Sequence, residues 1–197
     1  SLLGNVALSS LVLSFALLRQ SAQPGPLAAQ FQAYWLRSLI QAVACSELAK
    51  RSGGFTMAQC IAKVLEQEMQ RNPRIFVFGE DIEDPKGDVF STTRGLSTHF
   101  PSRVRNSPLA EGTIIGSAVG RAILGDLPVP CIQFVDFMGP GLNQLFNEVT
   151  TFYWRSTGQW NCPMVIMAPY GAYLPGLGPW HSQTNEAIYA HIPGLHV

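Results

Sequence analysis

Apolar residues run from position 1 to 18 without a charge, and two regular rhythms follow further along the chain. The first run is mostly Leu, Val, Ala and Ser. It has the pattern of a secretory core, a marginal membrane span or a buried helix. Arg19 follows the run, but no basic residue precedes it, which speaks against a signal peptide. Gln23-Pro24-Gly25-Pro26 breaks the pattern. Phe31, Trp35, Leu39 and Val43 then recur every four residues, predicting a helix within Leu27 to Leu48. Residues 1–50 are read as an N-terminal extension of unknown role.

From Gly53-Gly54 onward the pattern is that of one domain, residues 51–197. Thr56-Met57-Ala58-Gln59 is a capping box, with Thr at the N-cap and Gln three residues on. The helix it opens runs to about Gln70, with Ile61, Val64, Leu65 and Met69 on one face, and Asn72-Pro73 ends it. Ile75 to Phe78 predicts a short strand leading into Gly79-Glu80-Asp81, followed by a polar loop with Lys86-Gly87-Asp88. A helix is expected from Glu111 to Gly125. A second strand is expected over Val129 to Val135, with Pro128 and Pro130 at its start. Asn143 to Arg155 reads as a helix and Met164 to Met167 as a third strand. A Gly/Pro-rich loop from Pro169 to Pro179 delivers His181, and Gln183 to Ala190 reads as a helix.

The strands are short and continuously apolar, and they alternate with helices. This is the signature of an α/β fold, a parallel sheet with helices on both faces. Such sheets bind ligands at the carboxyl ends of their strands. Gly79-Glu80-Asp81, Asp136-Phe137 and the loop before His181 all follow strands. The chain starts at Ser1 without Met and stops at Val197, in what reads as the opening of a strand, so a fragment is expected.

Composition narrows the function classes. The chain is 47% hydrophobic and only 13% charged, about half the usual charged share, so it buries much surface in itself or against partners. The 13 basic and 13 acidic residues cancel, which leaves no electrostatic footprint for nucleic acid or an acidic membrane. Cys45, Cys60, Cys131 and Cys162 show no C-x-x-C spacing, and the four histidines show no H-E-x-x-H pattern. No metal site, zinc included, is expected, and a reducing compartment is the default. Gly112, Gly116 and Gly120 share one helix face. Each costs about 1 kcal/mol against Ala, so three together predict close approach of a neighbouring helix, including one across a subunit interface. They are not a phosphate loop, because Lys-Ser/Thr is missing. Arg121 and Asp126 interrupt the apolar run and exclude a membrane dimer of the GxxxG kind.

Three features carry candidate chemistry. Glu111 ends Ser107-Pro108-Leu109-Ala110-Glu111 at the mouth of a small-residue, apolar helix. A carboxylate there is either a first-turn complement to the helix dipole or a partly desolvated proton carrier. Phe137 ends Gln133-Phe134-Val135-Asp136-Phe137 and serves either the core or a cofactor ring. His181 opens His181-Ser182-Gln183 and either caps the next helix or moves protons. Glu80 and Asp81 at a strand end either bind charge or are simply solvated.

Together these features resemble the beta subunit of the thiamine-diphosphate-dependent decarboxylase component of 2-oxo acid dehydrogenase complexes. The resemblance covers roughly residues 54–197. It rests on Val77-Phe78-Gly79-Glu80-Asp81, Gly87-Asp88-Val89-Phe90, Pro108-Leu109-Ala110-Glu111, Gln144 with Asn147-Glu148, Arg155-Ser156, His181-Ser182-Gln183 and His191-Ile192-Pro193-Gly194-Leu195. Ile132-Gln133-Phe134 with Asn161-Cys162 looks most like the branched-chain (2-oxoisovalerate) members. The run from Asn143 through Arg155-Ser156 to Ile166 also resembles bacterial forms with alpha and beta halves fused.

The resemblance implies a pyrimidine-binding, transketolase-like domain that acts on a branched 2-oxo acid and passes the acyl group to lipoamide. Pyruvate and acetoin relatives share most of the motifs, and a non-catalytic interaction module is the rival of a different class. By the same resemblance Glu111 hydrogen-bonds the pyrimidine ring nitrogen opposite the amino group. Phe137 stacks on that ring, Leu109 and Gln133 line it, and His181 handles protons and helps acyl transfer. The implied cofactors are thiamine diphosphate, magnesium held by the alpha half, and a structural potassium ion. The implied partners are an alpha subunit or fused alpha half, a second beta copy in a heterotetramer, and a lipoyl-bearing acyltransferase. The implied location is the cytoplasm, or the mitochondrial matrix in a eukaryote. The resemblance assigns the Gly-Asp-Gly segment that holds the diphosphate to the alpha half, and this chain has none. The family's C-terminal domain is likewise expected to be missing after Val197. One local departure stands out: Met167 lies where relatives usually carry Arg.

Overall fold

A computed structural model describes residues 12–18, as backbone, and residues 56–197. The helix expected within Leu27 to Leu48 lies outside the described residues. Helix α1 (Met57–Arg71) opens on the expected capping box, with Thr56 and Gln59 bonding each other's backbone. Its buried face carries Cys60, Ile61, Leu65, Glu68 and Met69. Asn72 ends it, and its amide returns to the Glu68 carbonyl.

The chain then enters strand β2 (Ile75–Gly79), buried along its whole length. After β2 come a long loop, one helical turn α2 (Leu96–His99) and strand β3 (Val104–Asn106). Helix α3 (Glu111–Ile123) leads to strand β4 (Leu127–Cys131). Tight turns over Val135–Phe137 and Gly139–Gly141 precede a π-helical stretch (Gln144–Val149) and the short helix α4 (Phe152–Arg155). Strand β5 (Val165–Tyr170), a turn at Gly178–Trp180, helix α5 (Glu186–Ala190) and strand β6 (Leu195–His196) complete the chain.

The sheet has the order β3-β2-β4-β5-β1-β6, where β1 is Val12–Leu18. Strands β3, β2, β4 and β5 run parallel, as expected for alternating strands and helices. Strand β1 lies antiparallel to β5, pairing Val12 with Tyr170 through Leu17 with Val165. The stretch Val12–Leu18 is therefore neither a helix nor a span. Its apolar residues suit helix and strand alike, and the otherwise open edge of β5 satisfies its backbone groups. Among the described residues, no helix is long and apolar enough to cross a membrane.

The core joins α1, α3 and the sheet, with Leu65, Met69, Ile75, Ile114, Val129 and Ile166 in one buried cluster. Each such side chain contributes about 1.5–3 kcal/mol by leaving water.

Three sequence expectations need correction. The second strand covers Leu127–Cys131, not Val129 to Val135, and both prolines lie inside it. The Leu127 amide donates toward the β2 side (to Arg74 O, 2.9 Å) and the Ile132 amide toward β5 (to Met167 O, 2.8 Å). Amides alternate sides along a strand, so the missing N–H groups of Pro128 and Pro130 face β5. Strand β4 thus keeps a five-residue ladder with β2 and a single registered pair, Cys131 with Met167, toward β5. Second, Asn143 to Arg155 is not one helix. Thr150 and Thr151 hydroxyls donate back to the Phe146 and Asn147 carbonyls, and the helix widens and restarts there. Third, the polar loop after β2 contains α2 and β3, each too short for a periodic signal.

The glycine face of α3 meets its own chain. A side chain at Gly112 would come within 3.0 Å of the Pro140 carbonyl, and one at Gly116 within 3.6 Å of Gln144 Cγ. Gly120 faces open space.

Candidate functional site

Gly79 sets the first wall of the site. A Cβ there would lie 2.2 Å from the Cys131 carbonyl oxygen, so only glycine lets the ends of β2 and β4 close on each other. The next residue, Glu80, is thereby buried at the strand end, 3% exposed. One of its carboxylate oxygens, Oε1, has no hydrogen-bond partner. Burial, the neighbouring Glu111 and then Asp81 push its carboxyl up to about 6, and the Ala110 amide acts the other way. A small cavity beside it is lined by Ile82, Asp88, Thr92, Gln133 and Met167, with no Lys or Arg among its lining residues. Met167, where an Arg was expected, is buried in β5 and brings no charge.

Glu111 is the first residue of α3, half-buried, with no side-chain cap at Ala110. Among the described residues, nothing donates a hydrogen bond to its carboxylate. The segment after Phe137 packs on this first turn. A Cβ at Gly141 would lie 3.3 Å from the Glu111 carbonyl oxygen. Glu111 and Phe137 thus share one end of the sheet, where ligands bind in parallel α/β folds. Gln133 Nε2 donates to the Asp81 carboxylate (Oδ2, 3.3 Å) and to the Glu80 backbone carbonyl (3.5 Å). Lys86 pairs with Asp81.

The second wall belongs to His181. Its ring stands edge-on to Phe134 (centroids 4.8 Å, interplanar 87°) and to Phe137 (5.5 Å, 89°). Phe134 is buried and also stacks on Tyr173, which touches Phe90 in turn. The next two backbone amides, Ser182 and Gln183, donate to Asp136 Oδ1 at 3.2 and 3.1 Å.

The structure therefore joins Phe137 with His181, and Gln133 and Glu111 with Glu80. Leu109 stands apart, 82% exposed and turned to solvent in this chain. Sequence reasoning missed roles for Phe134, Asp136 and Tyr173, and it left Glu80 undecided. The signal for Asp136 was its place between Gln133 and Phe137. Buried Cys131 and Cys162 have thiols pushed up by burial, Cys162 to about 12, which removes them as nucleophiles. Among the described residues, no group of three or more His, Cys, Asp or Glu could hold a metal ion.

This arrangement fits the aminopyrimidine end of thiamine diphosphate. It offers a half-buried carboxylate without a partner, an aromatic face and an amide side chain at one sheet end. It does not offer the diphosphate and metal end.

Comparison with known proteins agrees. The chain is 43% identical over 134 residues to the 2-oxoisovalerate dehydrogenase subunit beta of Bacillus subtilis, covering 68% of this chain and 40% of that protein. It is 42% identical over 139 residues to the mitochondrial 2-oxoisovalerate dehydrogenase subunit beta 2 of Arabidopsis thaliana (70% and 38%). It is 39% identical over 143 residues to the pyruvate dehydrogenase E1 component subunit beta of Acholeplasma laidlawii (72% and 43%). The chain thus spans about 40% of the length of these relatives. The family model for the transketolase pyrimidine-binding domain matches residues 54–197, nearly the whole α/β unit built around Glu80, Glu111 and His181, and the chain belongs to that family.

Proposed function

We propose that this chain supplies the pyrimidine-binding half of the active site of a thiamine-diphosphate-dependent 2-oxo acid dehydrogenase. The carrying observation is the Glu111 carboxylate, half-buried and unpartnered at the mouth of α3, at the same sheet end as Phe137. The bound cofactor supplies the electron sink for loss of carbon dioxide from a 2-oxo acid.

The rest of the chemistry falls to the side chains. The Glu111 carboxyl holds its proton at the ring nitrogen opposite the amino group. Buried Glu80 beside it has its own carboxyl raised to about 6, so it is neutral below that pH and mostly ionised above it. Phe137 presents its face to the ring and Gln133 its edge. His181, held between Phe134 and Phe137, moves a proton at its imidazole during acyl transfer to a lipoyl group.

Several partners complete the reading. An alpha subunit or fused alpha half holds the diphosphate and magnesium and covers exposed Leu109. A second beta copy and a lipoyl-bearing acyltransferase complete the assembly. The branched-chain substrate follows the names of the 2-oxoisovalerate dehydrogenase relatives; the pyruvate dehydrogenase relative makes pyruvate the alternative.

The test is co-expression of the chain with an alpha partner, then decarboxylation of 3-methyl-2-oxobutanoate and of pyruvate with thiamine diphosphate and magnesium. Glu111→Gln should lower the rate at least about 100-fold, the scale of losing one preorganised polar group at a reacting centre. An unchanged rate would remove Glu111 from the chemistry.

A further inference from the structure

Among the described residues, Asp136 is the one polar side chain that ties the loop after β5 to the rest of the domain by hydrogen bonds. Its Oδ1 accepts from the amides of Ser182 and Gln183 at 3.2 and 3.1 Å, across 46 and 47 residues of sequence. Among the described residues, the other hydrogen bonds of this loop stay within it. Gly171 N donates to Gln183 O at 2.9 Å, the Ser182 hydroxyl to Gly178 O, and Gln183 Nε2 to Pro179 O. Left-handed glycines at 171, 176 and 178 (φ 83°, 83° and 65°) bend the loop, so no sheet ladder fixes its path. Without Asp136 two consecutive amides would lose their acceptor, and the imidazole just before them would lose its anchor.

The same carboxylate stands one residue before Phe137 and two after Phe134, the two rings that flank His181. A single turn, Val135–Phe137, therefore sets both the ring stacked on the cofactor and the loop that carries the histidine. Asp136 Oδ1 is engaged with the two backbone amides, and its buried Oδ2 has no hydrogen-bond partner among the described residues. We propose that Asp136 is a positioning residue that registers His181 against Phe137, so that the proton at the imidazole meets the acyl group during transfer to the lipoyl carrier.

This inference rests on the functional reading above, and its test separates the two. The assembled enzyme, with its alpha partner, would be assayed with an artificial electron acceptor and with a lipoyl domain. Hydrogen exchange of the peptide spanning residues 178–190 would be followed in parallel. Asp136→Ala should lower the lipoyl-dependent rate about 10- to 100-fold, the cost of misplacing a reacting group by about 1 Å. The artificial-acceptor rate should fall less than about threefold. Exchange should quicken in residues 178–190 and nowhere else. Asp136→Asn keeps an acceptor oxygen for the two amides and should restore the lipoyl-dependent rate to within about threefold.

Unchanged exchange at residues 178–190 in Asp136→Ala would overturn the proposal. So would an equal fall in both rates with faster exchange throughout the chain, or a failure of Asp136→Asn to recover. Wild-type enzyme that decarboxylates no 2-oxo acid would instead overturn the functional reading, and loop exchange would still report whether Asp136 anchors the loop.

Discussion

The two walls of the site are built by opposite means. The wall of Glu80 and Glu111 grows from strand ends and the first turn of a 13-residue helix, and its clearances are set by backbone. At Gly79 there is no room for one methyl group. The His181 wall is a glycine- and proline-rich loop, placed by aromatic rings and one carboxylate. A carboxyl whose proton affinity depends on burial needs a rigid, dry seat. The role proposed for His181, meeting a group that arrives on another chain, suits a loop set through side chains.

Gly79→Ala tests this contrast most severely. Forcing a Cβ to within 2.2 Å of the Cys131 carbonyl should destabilise the domain by about 3 kcal/mol. Thermal unfolding of the assembled protein would measure it. A neutral result would mean that the first wall is as adaptable as the second.

Glu80→Gln comes next. The folded carboxyl titrates at about 6, above its ordinary 4.5. The folded state therefore binds the proton more tightly than the unfolded chain. Wild-type stability should fall by roughly 2 kcal/mol as pH rises from about 4.5 to 6, and stay level above that. The substitution should abolish this fall. Unfolding in denaturant at pH 4.5 and 7 decides it, and an equal fall in both proteins would remove Glu80 as the cause. Asp84 behaves in the opposite sense. Burial raises it, but hydrogen bonds from Gly95, Thr98 and Ser97 outweigh that and bring it down to about 2. Its contribution is present above about pH 4 and is lost only as pH falls through about 2.

Tyr173→Leu, in the second wall, should have the smallest effect. It removes ring pairs with Phe134 and Phe90 worth about 1 kcal/mol together and should leave the pH dependence untouched. A loss as large as that of Gly79→Ala would erase the contrast between the walls.

The first wall was largely legible in the sequence, and the second only in part. Alternating apolar runs and the capping box located α1, β2 and α3, and the run ending at Glu111 marked the carboxylate. These are local signals, carried by neighbours in sequence. Asp136 acts on Ser182 and Gln183 and Phe134 on His181, and no periodicity encodes such pairings. Raised Glu80 depends on burial by Gly79 and on Glu111, 31 positions away, which strand patterning does not reveal. Pro128 and Pro130 argued for a strand start, because a proline inside a central strand normally breaks a ladder on one side. Here it does so, and the strand persists on the other.

Those two prolines divide the sheet into unequal halves. Strands β3, β2 and β4 are stitched by continuous ladders, as is β5 to β1, whereas β4 and β5 share one registered pair. The line between the halves runs up to the site, with Gln133 and Phe137 on one bank and the His181 loop on the other. Asp136 crosses it at the top, like a tie across an expansion joint. Its two amide contacts join the bank of Phe137 to the bank of His181. An ordinary imperfection of strand pairing thus leaves one side chain, rather than a ladder, to close the seam beside the site.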